Sequence, residues 1–182
     1  MEKQEIRQFI THQLNTLGHR QQREQQIYDR LFTVSAWENA RSIAVTLSFR
    51  NECSTDPIIE KAWELGKQVV IPKVVHREMK FFEYLPNSRL VETTMGIREP
   101  DDTAVERSLK TIDLCLVPGR AFMRNGFRVG WGGGFYDRAL VDYQGNTLAV
   151  AFECQLVPTF AVESFDRPVD QIVTESEVIL CR

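Results

Sequence analysis

The chain is poor in the residues that build the commonest catalytic and metal centres. Histidine occurs three times, at His12, His19 and His76, and the three do not cluster. Neither a histidine metal site nor a histidine-based triad is indicated. The four cysteines, Cys53, Cys115, Cys154 and Cys181, are widely spaced and form no C-x-x-C pair or zinc-ligand pattern. Three of them sit in apolar surroundings, which predicts buried free thiols and a cytoplasmic protein. No apolar run approaches the roughly 20 residues needed to span a bilayer. The opening segment MEKQEIRQFI is charged and lacks the apolar region of a signal peptide, so no membrane partner is expected. A net charge of −3 argues against general nucleic-acid binding, so any attraction for anions must be local. No G-x-S-x-G elbow and no G-x-x-x-x-G-K-[ST] phosphate loop is present.

Glycine is scarce except in one place. Six of the ten glycines lie between Gly119 and Gly134, in the segment GRAFMRNGFRVGWGGGFYDR, 119 to 138. Four arginines (Arg120, Arg124, Arg128, Arg138) share the segment with one acid, Asp137, a local balance of +3. Glycine lets backbone N–H groups approach a ligand closely. Arginine offers forked donors to phosphate oxygens, and a nearby carboxylate can hold Mg²⁺. These are the parts of a phosphate cradle. The same residue types also serve tight turns and solvated faces, and composition alone leaves both readings open. A G-x-G-x-x-G fingerprint can be forced onto Gly130 and Gly132, but Phe135 stands where the last glycine belongs.

The 182 residues suit one domain, 1–182, and a 43% apolar, 26% charged composition is ordinary for a globular fold. Ile6, Phe9, Ile10, Leu14 and Leu17 recur at helical spacing over 2–17. A second helix is predicted over about 21–40. SIAVTLSF, 42 to 49, reads as a buried strand. Thr55 is a plausible N-cap, Pro57 suits a first turn, and Gly66 suits a helix end. Strands follow at 68–74 and 79–85, a long ordered loop at 86–102, and a short helix at 103–110. IDLCLVP, 112 to 118, is a strong buried strand that leads straight into the glycines. A helix at 135–141 and strands at 147–153 and 178–181 complete the chain. Apolar strands alternating with helices imply an α/β fold, its mostly parallel sheet covered on both faces. Ligands bind beyond the carboxyl ends of such strands, so the loops after 42–49 and 112–118 could meet at one site.

Other residues are equivocal on their own. Glu52 is either a solvated loop carboxylate or an acceptor for a ligand's N–H groups. Lys3 and Arg7 are four apart and share one helix face. GIREP, 96 to 100, indicates a turn.

Taken in order, these pieces resemble the 5-formyltetrahydrofolate cyclo-ligase (5,10-methenyltetrahydrofolate synthetase) family. LVPGRAFMRNGFRVGWGGGFYDR, 116 to 138, is similar to its signature of strand, Pro-Gly, Ala-Phe, then Gly-x-Arg-aliphatic-Gly-x-Gly-x-Gly-aromatic-Tyr-Asp. NECST resembles its Glu-x-x-Thr element, GIREP its Gly-Ile-x-Glu-Pro loop, and Lys3 with Arg7 its N-terminal Lys-x-x-x-Arg. AFECQLVP followed by FDRPVD matches its C-terminal pattern. Met123, Gly133 and Arg120 depart from it: Asp is frequent at the first, Lys occurs at the second, and an aliphatic residue is usual at the third.

The resemblance implies a three-layer α/β/α fold of Rossmann-like topology and ATP-dependent cyclisation of 5-formyltetrahydrofolate to 5,10-methenyltetrahydrofolate. It implies that Lys3 and Arg7 contact ATP, and that Arg128, Val129, Gly130, Trp131, Gly132, Gly133, Gly134, Phe135 and Tyr136 hold its phosphates. Glu52 would grip the folate head group, with Leu47 packing nearby and residues 131–135 lining the place where folate and γ-phosphate meet. Arg128 and Glu52 would be the catalytic pair, and Asp137 with Asp166 would bind Mg²⁺. Two rivals stand beside this: a sugar-phosphate isomerase-like enzyme, and a nucleotide-binding or regulatory module without turnover. A monomer is the simplest expectation.

Overall fold

A computed structural model describes residues 2–181. Helix α1 (Lys3–Asn15) starts where the Glu2 N–H donates to Glu5 Oε2 at 2.9 Å, and it buries Ile6, Ile10 and Leu14. Phe9, expected on that apolar face, is exposed instead. The helix predicted over 21–40 is two: α2 (Arg20–Leu31) and α3 (Ser35–Asn39). The break falls at Thr33, whose hydroxyl donates to the Arg30 carbonyl at 2.8 Å, and at extended Val34. Both are β-branched, and Thr33 offers the backbone a rival partner.

Strand β1 (Ser42–Ala44) is shorter than expected. Helix α4 (Asp56–Glu64) follows, with Pro57 in its first turn. Thr55 does not cap it: its hydroxyl donates to the Thr46 carbonyl at 2.6 Å and accepts from the Ser48 N–H at 2.9 Å. Thr55 thus ties the loop shut rather than the helix. At the other end the Gly66 and Lys67 N–H groups donate to the Trp63 and Ala62 carbonyls, a Schellman close. Strands β2 (Gln68–Val75) and β3 (Glu78–Glu83) form a hairpin.

The region read as a loop contains a hairpin of β4 (Leu90–Glu92) and β5 (Arg98–Pro100). Where a helix was expected at 103–110 lie β6 (Glu106–Arg107) and a 3-10 turn, Leu109–Thr111. The Asp101 carboxylate accepts from the Thr103 N–H and hydroxyl, turning the chain onto the sheet edge. Then come β7 (Leu114–Leu116), a small hairpin of β8 (Ala121–Phe122) and β9 (Arg128–Val129), and helix α5 (Phe135–Ala139). Strands β10 (Asn146–Val150), β11 (Gln171–Val173) and β12 (Val178–Leu180) end the fold.

The main sheet runs β12-β11-β10-β7-β1-β2-β3-β6. Its five central strands, β11, β10, β7, β1 and β2, are parallel, and antiparallel strands protect both edges. Side chains alternate between two cores as the pleat requires. Ile43, Val69, Leu114, Leu116 and Leu148 face α1 to α4. Ala44, Val70, Cys115, Ala149 and Ile172 face Leu140 on the far side. The α/β layering is therefore the expected one but lopsided, with four helices on one face and only α5 on the other.

Among the described residues no helix is long and apolar enough to cross a membrane. Burial pushes the Cys53 thiol, with the Glu24 charge adding to it, and the Cys115 thiol up to about 12. Both should stay unlabelled by a thiol reagent at pH 8 until the protein unfolds, and rapid native labelling of either would contradict their placement. Folding raises these values above the ordinary 9.0. Their contribution to stability is therefore complete below pH 9 and is lost as pH rises towards 12. The thermal midpoint should decline across that window.

Candidate active site

The carboxyl ends of β1, β7 and β10 open on one small pocket. Thr46, Glu52, Thr55, Val117, Gly119 and Gln155 line it, and it encloses about 30 Å³. The two loops anticipated to meet do so here. Loop 46–55 is closed by Thr55 at its base and by Glu52 at its tip, where Oε2 accepts from the Phe49 N–H at 2.9 Å. The other oxygen, Oε1, accepts from the Trp131 indole N–H at 2.9 Å. This hydrogen bond joins the candidate folate carboxylate directly to the glycine segment. Leu47 is buried in the main core at the base of the same loop.

The glycine loop itself is open to solvent, with Trp131, Gly132 and Gly133 exposed. Gly132 has φ +106°, a backbone conformation that side chains with a Cβ rarely adopt. Its neighbour across space is Arg7, whose Nε donates to the Gly130 carbonyl at 2.8 Å. Helix α1 thus carries the Arg7 cation to the loop, while Lys3, one turn earlier, pairs with Asp166 instead. Arg138 reaches back from α5 to the Gly133 carbonyl at 3.0 Å and stacks on the Phe135 ring. At Gly133 that same ring would lie 2.6 Å from an added Cβ. A lysine there would have to push Phe135 aside. The Tyr136 hydroxyl is buried beside Thr46, and burial raises its phenol well above the ordinary value.

Arg128 and Val129 are buried in β9 rather than exposed beside the loop. Arg128 Nη1 donates to the Arg167 carbonyl at 2.5 Å and Nη2 to Asp137 Oδ1 at 3.1 Å. The Arg167 N–H donates to the same carboxylate oxygen at 3.1 Å. One residue away, Asp166 Oδ2 accepts from Lys3 Nζ at 2.8 Å and from the Glu163 N–H at 2.9 Å. The segment 163–167 therefore gathers Lys3, Arg128, Asp137 and Asp166 into one network. Each aspartate has one oxygen committed and the other without a hydrogen bond among the described residues. Among the described residues no group of three or more His, Cys, Asp or Glu side chains forms a ready metal site. That donor set still fits Mg²⁺, which usually takes one or two carboxylates and completes its shell with water and substrate phosphates.

Two residues central to this geometry were not singled out as site residues by the sequence: Asn51 and Arg167. Arg120 was noted only as one of the segment's four arginines and as a departure from the family pattern. Its buried guanidinium donates to Asn51 Oδ1 and to Thr11 Oγ1, and it stacks on Trp131. An arginine in an otherwise apolar strand-turn position was the one available signal. An isomerase would need a mobile acid/base pair at the loop. Asp137 is ion-paired to Arg128 and accepts from Arg167, and Glu52 accepts from Phe49 and Trp131, so both carboxylates are held in place rather than mobile.

The sequence model of the 5-formyltetrahydrofolate cyclo-ligase family matches residues 1–175. The chain is 37% identical over 180 residues to 5-formyltetrahydrofolate cyclo-ligase of Escherichia coli (strain K12), covering 93% of this chain and 98% of that protein. It is 32% identical over 160 residues to the enzyme of the same name from Haemophilus influenzae, covering 84% and 85%. The structure is similar to that of Aquifex aeolicus 5,10-methenyltetrahydrofolate synthetase, with TM-score 0.87 at 27% identity, over 100% of this chain and 94% of that one. A family match over residues 1–175, with 37% identity across 180 residues to a member enzyme, places the chain in the 5-formyltetrahydrofolate cyclo-ligase family.

Proposed function

We propose that this protein closes 5-formyltetrahydrofolate to 5,10-methenyltetrahydrofolate while converting ATP to ADP and phosphate. The observation that carries the reading is the direct link between the glycine loop and the Glu52 loop. A phosphate held on one side would lie against a folate held on the other.

The chemistry explains why the site has no nucleophilic serine or cysteine. A formamide oxygen is a poor leaving group. The formyl oxygen attacks the γ-phosphorus, the bond to the β-phosphate oxygen breaks, and ADP departs. N10 then attacks the activated carbon, the carbon–oxygen bond breaks, and phosphate leaves as N10 loses its proton. Such transfer depends on alignment and charge stabilisation. The main chain from Gly130 to Tyr136, exposed at 131–133, supplies N–H donors, and Arg7 supplies a cation at its edge. Lys3 extends that cationic edge toward the nucleotide. Arg128 fixes Asp137 and segment 166–167, and its buried Nε is left without a protein partner. Mg²⁺, when bound, would neutralise phosphate charge, with Asp137 and Asp166 as its protein ligands. Glu52 receives N–H groups of the pterin, Leu47 backs that loop, and residues 131–135 line the meeting point.

Glu52→Gln should raise the KM for 5-formyltetrahydrofolate by roughly tenfold to a hundredfold, the scale of a hydrogen bond to a charged group. An unchanged KM would remove Glu52 from folate binding. The free thiols of Cys53, Cys115 and Cys154 suit a reducing compartment such as the cytoplasm. All assigned residues come from one chain, so a monomer suffices. The test of function is direct. Purified protein with 5-formyltetrahydrofolate, ATP and Mg²⁺ should give the methenyl absorbance with one phosphate released per product. Methenyl formation without ATP, or nucleotide binding with no turnover, would overturn the reading, the latter in favour of a regulatory module.

A further inference from the structure

Arg120 is a buried cation in a position that the family motif usually fills with an aliphatic side chain. Its exposure is 1%, and it ranks among the largest fully buried side chains. Both hydrogen-bond partners are neutral: Nη1 donates to Asn51 Oδ1 at 2.8 Å, Nη2 to Thr11 Oγ1 at 2.7 Å. Nε is buried with no partner. Burial holds its guanidinium below the ordinary arginine value, while the nearby Glu52 charge acts the other way. Packing does not require this arrangement, because a leucine would fill the space without bringing a charge out of water.

What the guanidinium does is visible in its third contact. Its carbon lies 4.6 Å from the centroid of the Trp131 ring. Trp131 is half exposed, so its own burial does little to fix it. Phe49, from the Glu52 loop, meets its edge at 6.2 Å between centroids. Held between these two, the indole N–H reaches Glu52 Oε1. Each carboxylate oxygen keeps a further lone pair, so Glu52 is oriented by Trp131 and Phe49 rather than used up.

We propose that Arg120 is a positioning residue for folate: by stacking on Trp131 and gripping Asn51 it sets the Glu52 carboxylate in the orientation that receives the pterin. This rests on the reading of Glu52 as the folate carboxylate. Arg120 touches three parts of the site at once: α1 through Thr11, the folate loop through Asn51, and the glycine loop through Trp131. It acts on the substrate only through the last two.

The test is a double-mutant cycle read as Michaelis constants. Arg120→Leu should raise the KM for 5-formyltetrahydrofolate about tenfold, the scale of one charge-assisted hydrogen bond. The KM for ATP should move less than about twofold, a change smaller than one such bond. Trp131→Leu should raise the folate KM by a similar factor, and the double variant should be no worse than the worse single one. Arg120→Lys should not rescue, because an ammonium cannot fork between Asn51 and Thr11 while stacking flat on an indole. Trp131→Phe guards against misfolding, since it keeps an aromatic ring at a half-exposed position while removing the indole N–H together with its five-membered ring. It should raise the folate KM with the melting temperature unchanged. Additive single effects, an equal rise in the ATP KM, or a silent Trp131→Phe would overturn the assignment. Glu52→Gln separates the two claims. If it leaves the folate KM intact, the folate reading itself fails. If it raises that KM while the cycle is additive, only the role of Arg120 falls.

Discussion

Arg128→Ala is expected to lower turnover by a factor of about 100 to 1,000, the range seen when a preorganised donor is removed from a site of charge development. The side chain is only 4% exposed and makes two commitments. Nη2 neutralises Asp137 and Nη1 holds the Arg167 carbonyl, while Nε is buried without a protein partner. Alanine removes both ties and the spare donor. Asp137 would lose its ion-pair partner, and segment 166–167 would lose a tie to the glycine hairpin. Breaking a fully buried pair costs about 3–5 kcal/mol. Asp137 is a fifth exposed, so about 2 kcal/mol is the more fitting scale here. The variant should fold but melt lower. Arg128→Lys keeps the charge yet cannot fork between Asp137 and the Arg167 carbonyl, so it should recover stability better than rate. Steady-state kinetics on folded protein checks this, and turnover within tenfold of wild type would deny Arg128 its role.

The second large effect separates two glycines that look alike in the sequence. Gly126 sits in the β8–β9 turn with φ +89°, and an added Cβ would lie 2.2 Å from the Val169 carbonyl oxygen and 3.0 Å from the Cys181 Cβ. The Val169 N–H also donates to the Gly126 carbonyl at 3.0 Å. Backbone cannot retreat as a side-chain tip can. Gly126→Ala should therefore cost about 3–5 kcal/mol, from overpacking and left-handed strain together. In a chain of this size that is a fall of roughly 10 °C in melting temperature. Gly130, by contrast, has open space where its Cβ would be. Gly130→Ala should leave the melting temperature within about 2 °C, since an unhindered surface change costs under ~0.5 kcal/mol. It should instead raise the KM for ATP, because the methyl would occupy the ligand's side of the loop. Equal melting temperatures for the two variants would contradict the division into a structural and a functional glycine.

Much of this architecture was legible in the chain. The buried strands around Ile43, Val69, Leu114 and Leu148 declare themselves as short apolar runs, and a parallel sheet follows from their alternation with helices. The glycine segment stood out by composition, whereas Glu52 and the Lys3/Arg7 pair were equivocal by position and were picked out only through the family resemblance. What escaped is short or conditional on tertiary contact. The β4–β5 and β8–β9 hairpins use strands of two or three residues, below the length at which period-two alternation has meaning. Thr55 carries the signature of a helix cap, yet its hydroxyl goes to Thr46, a choice made by loop closure. The helix over 21–40 broke because Thr33 and Val34 sit where the chain must turn toward β1. In the site, pairings across the fold were invisible. Nothing local joins Arg128 to Arg167, Lys3 to Asp166, or Arg120 to Trp131.

The central claim is that a nucleotide's terminal phosphate rests on the loop Gly130–Gly134, next to the Glu52 carboxylate. A crystal structure of the protein with Mg²⁺ and a non-hydrolysable ATP analogue tests it most directly. The account predicts phosphate oxygens on the main-chain N–H groups of that loop, Arg7 within reach, and Asp137 or Asp166 on the metal. Phosphates found instead at the opposite end of the sheet, in the cleft of about 410 Å³ lined by Lys110, Asp113 and Asn146, would contradict it.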